Sequence, residues 1–143
     1  MPHVKSCGAI IFRREDDKVY YLLVRHVGES DYWGFVKGIV EDDETEIDTA
    51  VREIQEETGI EDLKFKDCFR GTERYSPEEG VTKDAVYFLA ETSEKEIRLA
   101  LEELDKYEWL EFEDALERLK HPSQEELLKK AEDRMREESE KKR

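Results

Sequence analysis

The sequence predicts a mixed β-sheet flanked by helices, a fold of the α+β type. Paired runs of β-branched and aromatic residues open the chain, one segment with helical periodicity follows, and strand-like then helix-like patterns complete it. With 143 residues and 37% hydrophobic types, the chain suits one domain, 1–143, built on one core.

Val4 to Arg14 is rich in Ile, Val and Phe, Asp16-Asp17 form a turn, and Val19 to Val27 is again β-branched and aromatic. This pattern predicts a hairpin. The loop Gly28 to Asp31 leads to a short apolar piece, Tyr32 to Val36, closed by Lys37-Gly38. Within Glu41 to Asp62, Ile47, Ala50, Val51 and Ile54 recur at i, i+3, i+4 and i+7, the stripe of an amphipathic helix. Thr45 with Asp48 reads as its capping box and Gly59 as its left-handed end. Leu63 to Arg74 and Ala85 to Glu91 read as strands separated by the turn-rich Ser76 to Gly80, and Tyr107 to Phe112 as one more. Glu113 to Lys120 begins a helix that breaks at His121-Pro122. Ser123 with Glu126 then reads as the capping box of a last helix, 123–143, fraying past Glu137. Its seven acids and seven bases describe a solvated helix with a narrow stripe of Leu128, Ala131 and Met135.

No run approaches the roughly 18 apolar residues that would cross a bilayer, and the start carries no pattern of an exported leader. Cys7 and Cys68 form neither a disulfide framework nor a zinc-ligand pattern, which suits a reducing cytoplasm. The net charge of −15 disfavours long nucleic acid and anionic membrane as partners. His3, His26 and His121 are scattered and read as bland. Trp33 and Trp109 read as packing residues, Trp33 with a pocket-lining role as the alternative.

The acidity is concentrated. Glu41 to Asp62 holds eleven acids and one base, Arg52. At about 100° per residue, Glu53, Glu56 and Glu57 share one helix face. Like charges at this spacing disfavour a helix, and the last turn prefers cations. The lysines or arginines that would offset them at i±4 are missing, and Lys37-Gly38 can bring backbone carbonyls to the same face. Clustered carboxylates and a carbonyl are hard donors suited to Mg²⁺ or Mn²⁺, which takes phosphate oxygens among its other ligands.

From Gly38 to Ile60 the residues GIVEDDETEIDTAVREIQEETGI match the signature G-x5-E-x7-R-E-U-x-E-E-x-G-U at every defined position. In this the chain resembles the Nudix hydrolases. The resemblance implies an α/β/α sandwich and hydrolysis of a nucleoside diphosphate linked to another group. It also implies metal binding by Glu53, Glu56 and Glu57, help from the Gly38 carbonyl, and pairing of Glu44 with Arg52 to hold loop against helix. SCGAIIFR, YWGFVKG, CFRGTERYS…KDAVYFLA and EELDKYEWLEFEDA further resemble the branch that cleaves diadenosine tetraphosphate asymmetrically.

That branch implies Lys37 and Lys83 as phosphate contacts and Tyr75 with Tyr107 as rings stacking an adenine, the alternative being packing at a sheet edge. It implies Glu103 as a further carboxylate at the metal, with Glu102 competing for the place. Arg70 and Arg74 join the lysines as candidate bases to offset the phosphate charge. Val36 stands where the branch commonly has proline, and Asp42-Asp43 replace Pro-Gly, leaving the loop less rigid. The expected reaction is Mg²⁺-assisted attack of water on phosphorus with Glu57 as general base and Glu103 second, giving ATP and AMP. RNA 5′-end pyrophosphohydrolysis, diphosphoinositol polyphosphate, ADP-ribose and damaged nucleotides remain alternatives, as does a non-catalytic nucleotide sensor. A monomer or a dimer fits the C-terminal helix.

Overall fold

The computed structural model describes residues 3–28 and 31–141. Met1, Pro2, Glu29, Ser30, Lys142 and Arg143 lie outside the described residues, and with them part of the predicted loop Gly28 to Asp31 and the last two residues of the predicted helix 123–143.

β1 (His3–Glu15) and β2 (Lys18–His26) form the expected hairpin, in register from Phe12 with Tyr21 to Glu15 with Lys18. Asp16 and Asp17 have φ of 51° and 67°, the two left-handed residues of a tight turn whose twist matches its strands. The single short strand expected at Tyr32 to Val36 is instead two. β3 (Tyr32–Gly34) pairs with β2, and β4 (Val36–Ile39) pairs with β1. The buried Phe35 marks the crossing from one partner to the other.

α1 (Glu46–Thr58) has the Thr45/Asp48 capping box and ends at Gly59, φ 79°. Its inward face departs from the predicted stripe. Ala50 and Ile54 are buried, but Ile47 and Val51 are 38% and 39% exposed, and Thr49, Glu57 and Thr58 are buried in their stead. The helix is rotated so that the Glu57 edge faces the sheet.

β5 (Lys64–Glu78) and β6 (Val81–Glu91) are longer than their sequence signals, because the reversal contracts to Glu79-Gly80. Pro77 is tolerated in β5 at a shift of register between Tyr75 and Glu78. β7 (Leu104–Leu110) pairs with β2, and α2 (Phe112–Leu119) closes on Lys120, φ 60°. α3 (Pro122–Lys141) starts without the predicted Ser123/Glu126 box. Pro122 supplies the first helical residue, the His121 carbonyl accepts from the Gln124 and Glu125 amides, and the Ser123 hydroxyl donates to Glu73. The helix runs on past Glu137 to Lys141.

The sheet order is β3-β2-β1-β6-β5, with β4 on β1 and β7 on β2, and β1 with β6 is its parallel pair. Two apolar layers replace the single core expected. Ile10, Phe12, Tyr21, Tyr87 and Leu128 lie on the side of α2 and α3. Ala9, Ile11, Val24, Ile54 and Leu104 lie on the side of α1. Alternate residues of β1 feed opposite layers, as a strand covered on both faces requires, and the result is an α/β/α sandwich.

Candidate active site

The site grows from the junction of β4 and α1. Glu53 lies directly on the Gly38 backbone, and a Cβ at residue 38 would overlap the Glu53 carboxylate. Only glycine allows this approach. Arg52 ties the loop to the helix through Nε to Glu44 Oε2 (2.7 Å) and Nη2 to Glu44 Oε1 (2.9 Å). Its Nη2 also donates to the Ile39 carbonyl at 3.1 Å, and its Nη1 to Glu53 Oε1 at 2.7 Å and Glu56 Oε2 at 3.3 Å, so that, against the expectation of no base at i±4, Arg52 stands at i−4 of Glu56 and pairs with it. Glu44 accepts in addition from the Glu41 amide and the Thr49 hydroxyl. The Arg52 guanidinium holds its carboxyl down at about 2.

Glu57 occupies the next position around the helix and is 5% exposed, with Oε2 buried and lacking a hydrogen-bond partner. Burial first, then the Glu103 carboxyl beside it and the charges of Glu53 and Glu56, push its carboxyl up to about 9. Burial also raises Glu53 against the opposing pull of Arg52. Glu103 arrives on the 92–103 segment, which is fastened to the end of α1. The Arg98 amide donates to the Thr58 carbonyl and the Ala100 amide to the Glu57 carbonyl, satisfying groups that the last helical turn leaves open. Among the described residues no three His, Cys, Asp or Glu side chains already converge as a ligand set, and Arg52 stands between Glu53 and Glu56. A buried carboxylate oxygen without a donor, in a group of mutually repelling carboxyls, nevertheless suits a hard divalent cation.

On the other side of Lys37 lies a pocket of about 370 Å³ lined by Tyr32, Lys37, Glu73, Tyr75, His121 and Gln124, among others. Lys37 Nζ donates to the Tyr75 hydroxyl at 2.7 Å. Lys83 is opposite Tyr75 in the β5/β6 register. Tyr107 is on β7 opposite Val24, 37% exposed, and is neither among the residues lining the pocket nor in ring contact with Tyr75 among the described residues. Arg70 is engaged in both directions by Glu46, and Arg74 likewise by Asp84. Each of these two guanidinium charges is therefore matched by a carboxylate. Trp33 packs against the apolar layer with Arg118 over its ring, and Trp109 donates to the Lys95 carbonyl.

The family model described as the NUDIX domain matches residues 2–131. The chain belongs to the Nudix family. The mouse bis(5′-nucleosyl)-tetraphosphatase [asymmetrical] is 33% identical over 121 residues, spanning 78% of this chain and 82% of the relative. The Caenorhabditis elegans protein of the same description is 30% identical over 129 residues, spanning 89% and 93%. A solved C. elegans Ap4A hydrolase binary complex superposes with a TM-score of 0.83 at 30% identity, over 90% of this chain and 95% of that one.

The Nudix signature accounts for the carboxylate side of the site and is silent on the pocket. Tyr32, Glu73, His121 and Gln124 come from β3, β5, the turn before α3 and α3 itself. No spacing in the sequence joins them. His26, read as bland, fixes one wall of this Nudix pocket. Its ring stacks on Tyr32 at 4.7 Å and 12°, its Nε2–H donates to the Phe35 carbonyl, and burial lowers it to about 4, leaving it neutral.

Proposed function

We propose that this Nudix hydrolase cleaves diadenosine tetraphosphate to ATP and AMP in a reaction dependent on Mg²⁺ or Mn²⁺. One observation carries the reading: Lys37 lines a ring-walled pocket and is followed in β4 by Gly38, on which Glu53 of the carboxylate-bearing helix lies. Phosphates and base of one nucleotide can thus be held on either side of a single residue. The description of the relatives as asymmetrical tetraphosphatases supports the same substrate.

In this reading Glu53, Glu56 and Glu57, with Glu103 and the Gly38 carbonyl, would hold a divalent ion, which would supply charge neutralisation at the phosphate oxygens and acidify water. Arg52 would keep its two bonds to Glu44, which hold loop against helix, when Glu53 and Glu56 serve as ligands. Glu57 takes the proton of the attacking water, with Glu103 second in that role. Water oxygen bonds to phosphorus as the bridging P–O bond breaks, and the leaving nucleotide carries away the bridging oxygen. Lys37 and Lys83 contact phosphate oxygens. Tyr75 stacks on an adenine, and Tyr107, on β7 beyond β1 and β2, is available to the second nucleoside. The protein works in the cytoplasm as a monomer or a dimer. Two free thiols, Cys7 and Cys68, support a reducing compartment, and no described helix is long and apolar enough to cross a membrane.

The test is product analysis in ¹⁸O-labelled water with magnesium, offering diadenosine tetraphosphate, ADP-ribose, triphosphorylated RNA and diphosphoinositol polyphosphate. Equal yields of ATP and AMP, with label in one of them, are expected. Binding without product would make the protein a sensor, and faster turnover of another compound would reassign its substrate.

A further inference from the structure

We infer that the pocket beside Lys37 reads the 6-amino edge of a purine, with Gln124 and Glu73 as its specificity-determining residues. The inference rests on the nucleotide reading above and goes further, to the base and to the groups that select it.

Gln124 is 4% exposed on the first turn of α3, lines the pocket, and has its amide Oε1 buried with no hydrogen-bond partner. A buried acceptor is costly unless something donates to it, and among the described residues nothing does. The fold makes room for this amide. A Cβ on Gly34 of β3 would stand only 3.0 Å from Gln124 Oε1. Glu73 lines the same pocket and accepts from the Ser123 hydroxyl, which leaves its other carboxylate oxygen for a ligand. Beneath them the Tyr87 hydroxyl is also buried without a partner, and its electrostatic neighbours Glu73, Tyr32 and Tyr75 all line the pocket.

The walls are aromatic and held in place. Tyr32 is fixed between the His26 ring and the edge of His121, 5.8 Å away at 87°, and Tyr75 is fixed by Lys37. Flat walls with acceptors at the end suit a flat ligand with donors on its rim. Adenine offers an amino group at position 6 beside an acceptor ring nitrogen, the pattern that a glutamine amide meets with both of its atoms. The second amino hydrogen is left for the Glu73 carboxylate. Hypoxanthine puts a carbonyl oxygen at the same place, where it would face Glu73 and Gln124 Oε1 with like polarity.

The experiment is a calorimetric titration of the full chain with AMP and with IMP in magnesium, since the two differ in this edge and share ribose and phosphate. AMP is expected to bind about tenfold or more tighter. Gln124→Leu should bring the ratio close to one without lowering the melting temperature, because it removes an unpartnered group. Glu73→Gln should shift the ratio toward IMP by supplying a donor, which gives a second test should the leucine variant fail to fold. Equal affinities in the wild type, an unchanged ratio in the variants, or no binding of either nucleotide overturns the inference. A protein that prefers AMP but releases no ATP and AMP from the tetraphosphate would overturn the hydrolase reading and leave this one standing.

Discussion

Glu57 is a carboxyl withheld from water on the last turn of a helix, and that single placement has measurable consequences. Its folded-state value of about 9 lies above the ordinary 4.5, so the native protein retains a proton that the unfolded chain releases. Stability from this group is full below pH 4.5 and is lost as pH rises toward 9. His26 acts in the opposite direction. Its folded value of about 4 lies below 6.5, so stability falls as pH drops from 6.5 toward 4. The two slopes offset each other between pH 4.5 and 6.5, so the metal-free protein should melt highest on a plateau there and lose stability from pH 6.5 to 9. Added magnesium or the Glu57→Gln substitution should flatten the alkaline limb, which scanning calorimetry would read directly. In hydrolysis assays Glu57→Gln should cut turnover by roughly 10²–10⁴-fold with the fold intact. Near-normal turnover would move the base elsewhere.

At the scale of the element, α1 shows where periodicity informs and where it misleads. The spacing of Glu53, Glu56 and Glu57 fixes a shared face in any helix, and the capping box and Gly59 fix its ends, so all of this was legible. The inward arc was not. Thr49, Thr58 and Glu57 read as polar, yet Thr49 donates to Glu44 and Thr58 to the Ile54 carbonyl, partners that make burial tolerable. Ile54→Ala should accordingly cost about 2–5 kcal/mol, whereas Ile47→Ser should stay within roughly 0.5 kcal/mol, by denaturant titration. A reading that faced Ile47 inward would rank the two equally. In the loop before this helix Asp43 has φ 65°, the left-handed residue of the Asp42-Asp43 pair. Asp43→Gly relieves a left-handed conformation worth about 1–2 kcal/mol and gives back about 0.4–1 kcal/mol through the freer unfolded chain, so it should raise stability by up to about 1 kcal/mol, measured as a higher denaturation midpoint. The last helix went differently from expectation because Pro122 outcompeted Ser123 for its start, a choice settled by the Glu73 carboxylate drawing the serine away.

Across the whole molecule, net charge sets the approach of an anionic substrate. At −15, with Arg70 and Arg74 already paired, long-range repulsion opposes a tetraphosphate. Raising ionic strength from about 0.01 to 0.15 M shortens the screening length from about 30 to 8 Å and should increase kcat/KM in stopped-flow assays at fixed magnesium. A decrease would point to attractive steering by the bases around Lys37. The sandwich was legible in the order of strand and helix signals, and the signature made legible the Arg52–Glu44 tie and the approach of Glu53 to Gly38. Of the pocket, Lys37 and Tyr75 came from the branch resemblance, whereas Tyr32, Glu73, His121 and Gln124 were not legible, because they meet only through pairings such as Val24 with Gly34 and Tyr75 with Lys83. The parallel ribbon of β1 with β6 joins residues 3–12 to residues 82–91. During synthesis the first strand must therefore wait, exposed along one edge, until most of the chain has left the ribosome. The acidic helix α1, made in the interval, has no finished platform to dock on, so nascent chains halted near residue 80 should remain protease-sensitive and dependent on chaperones.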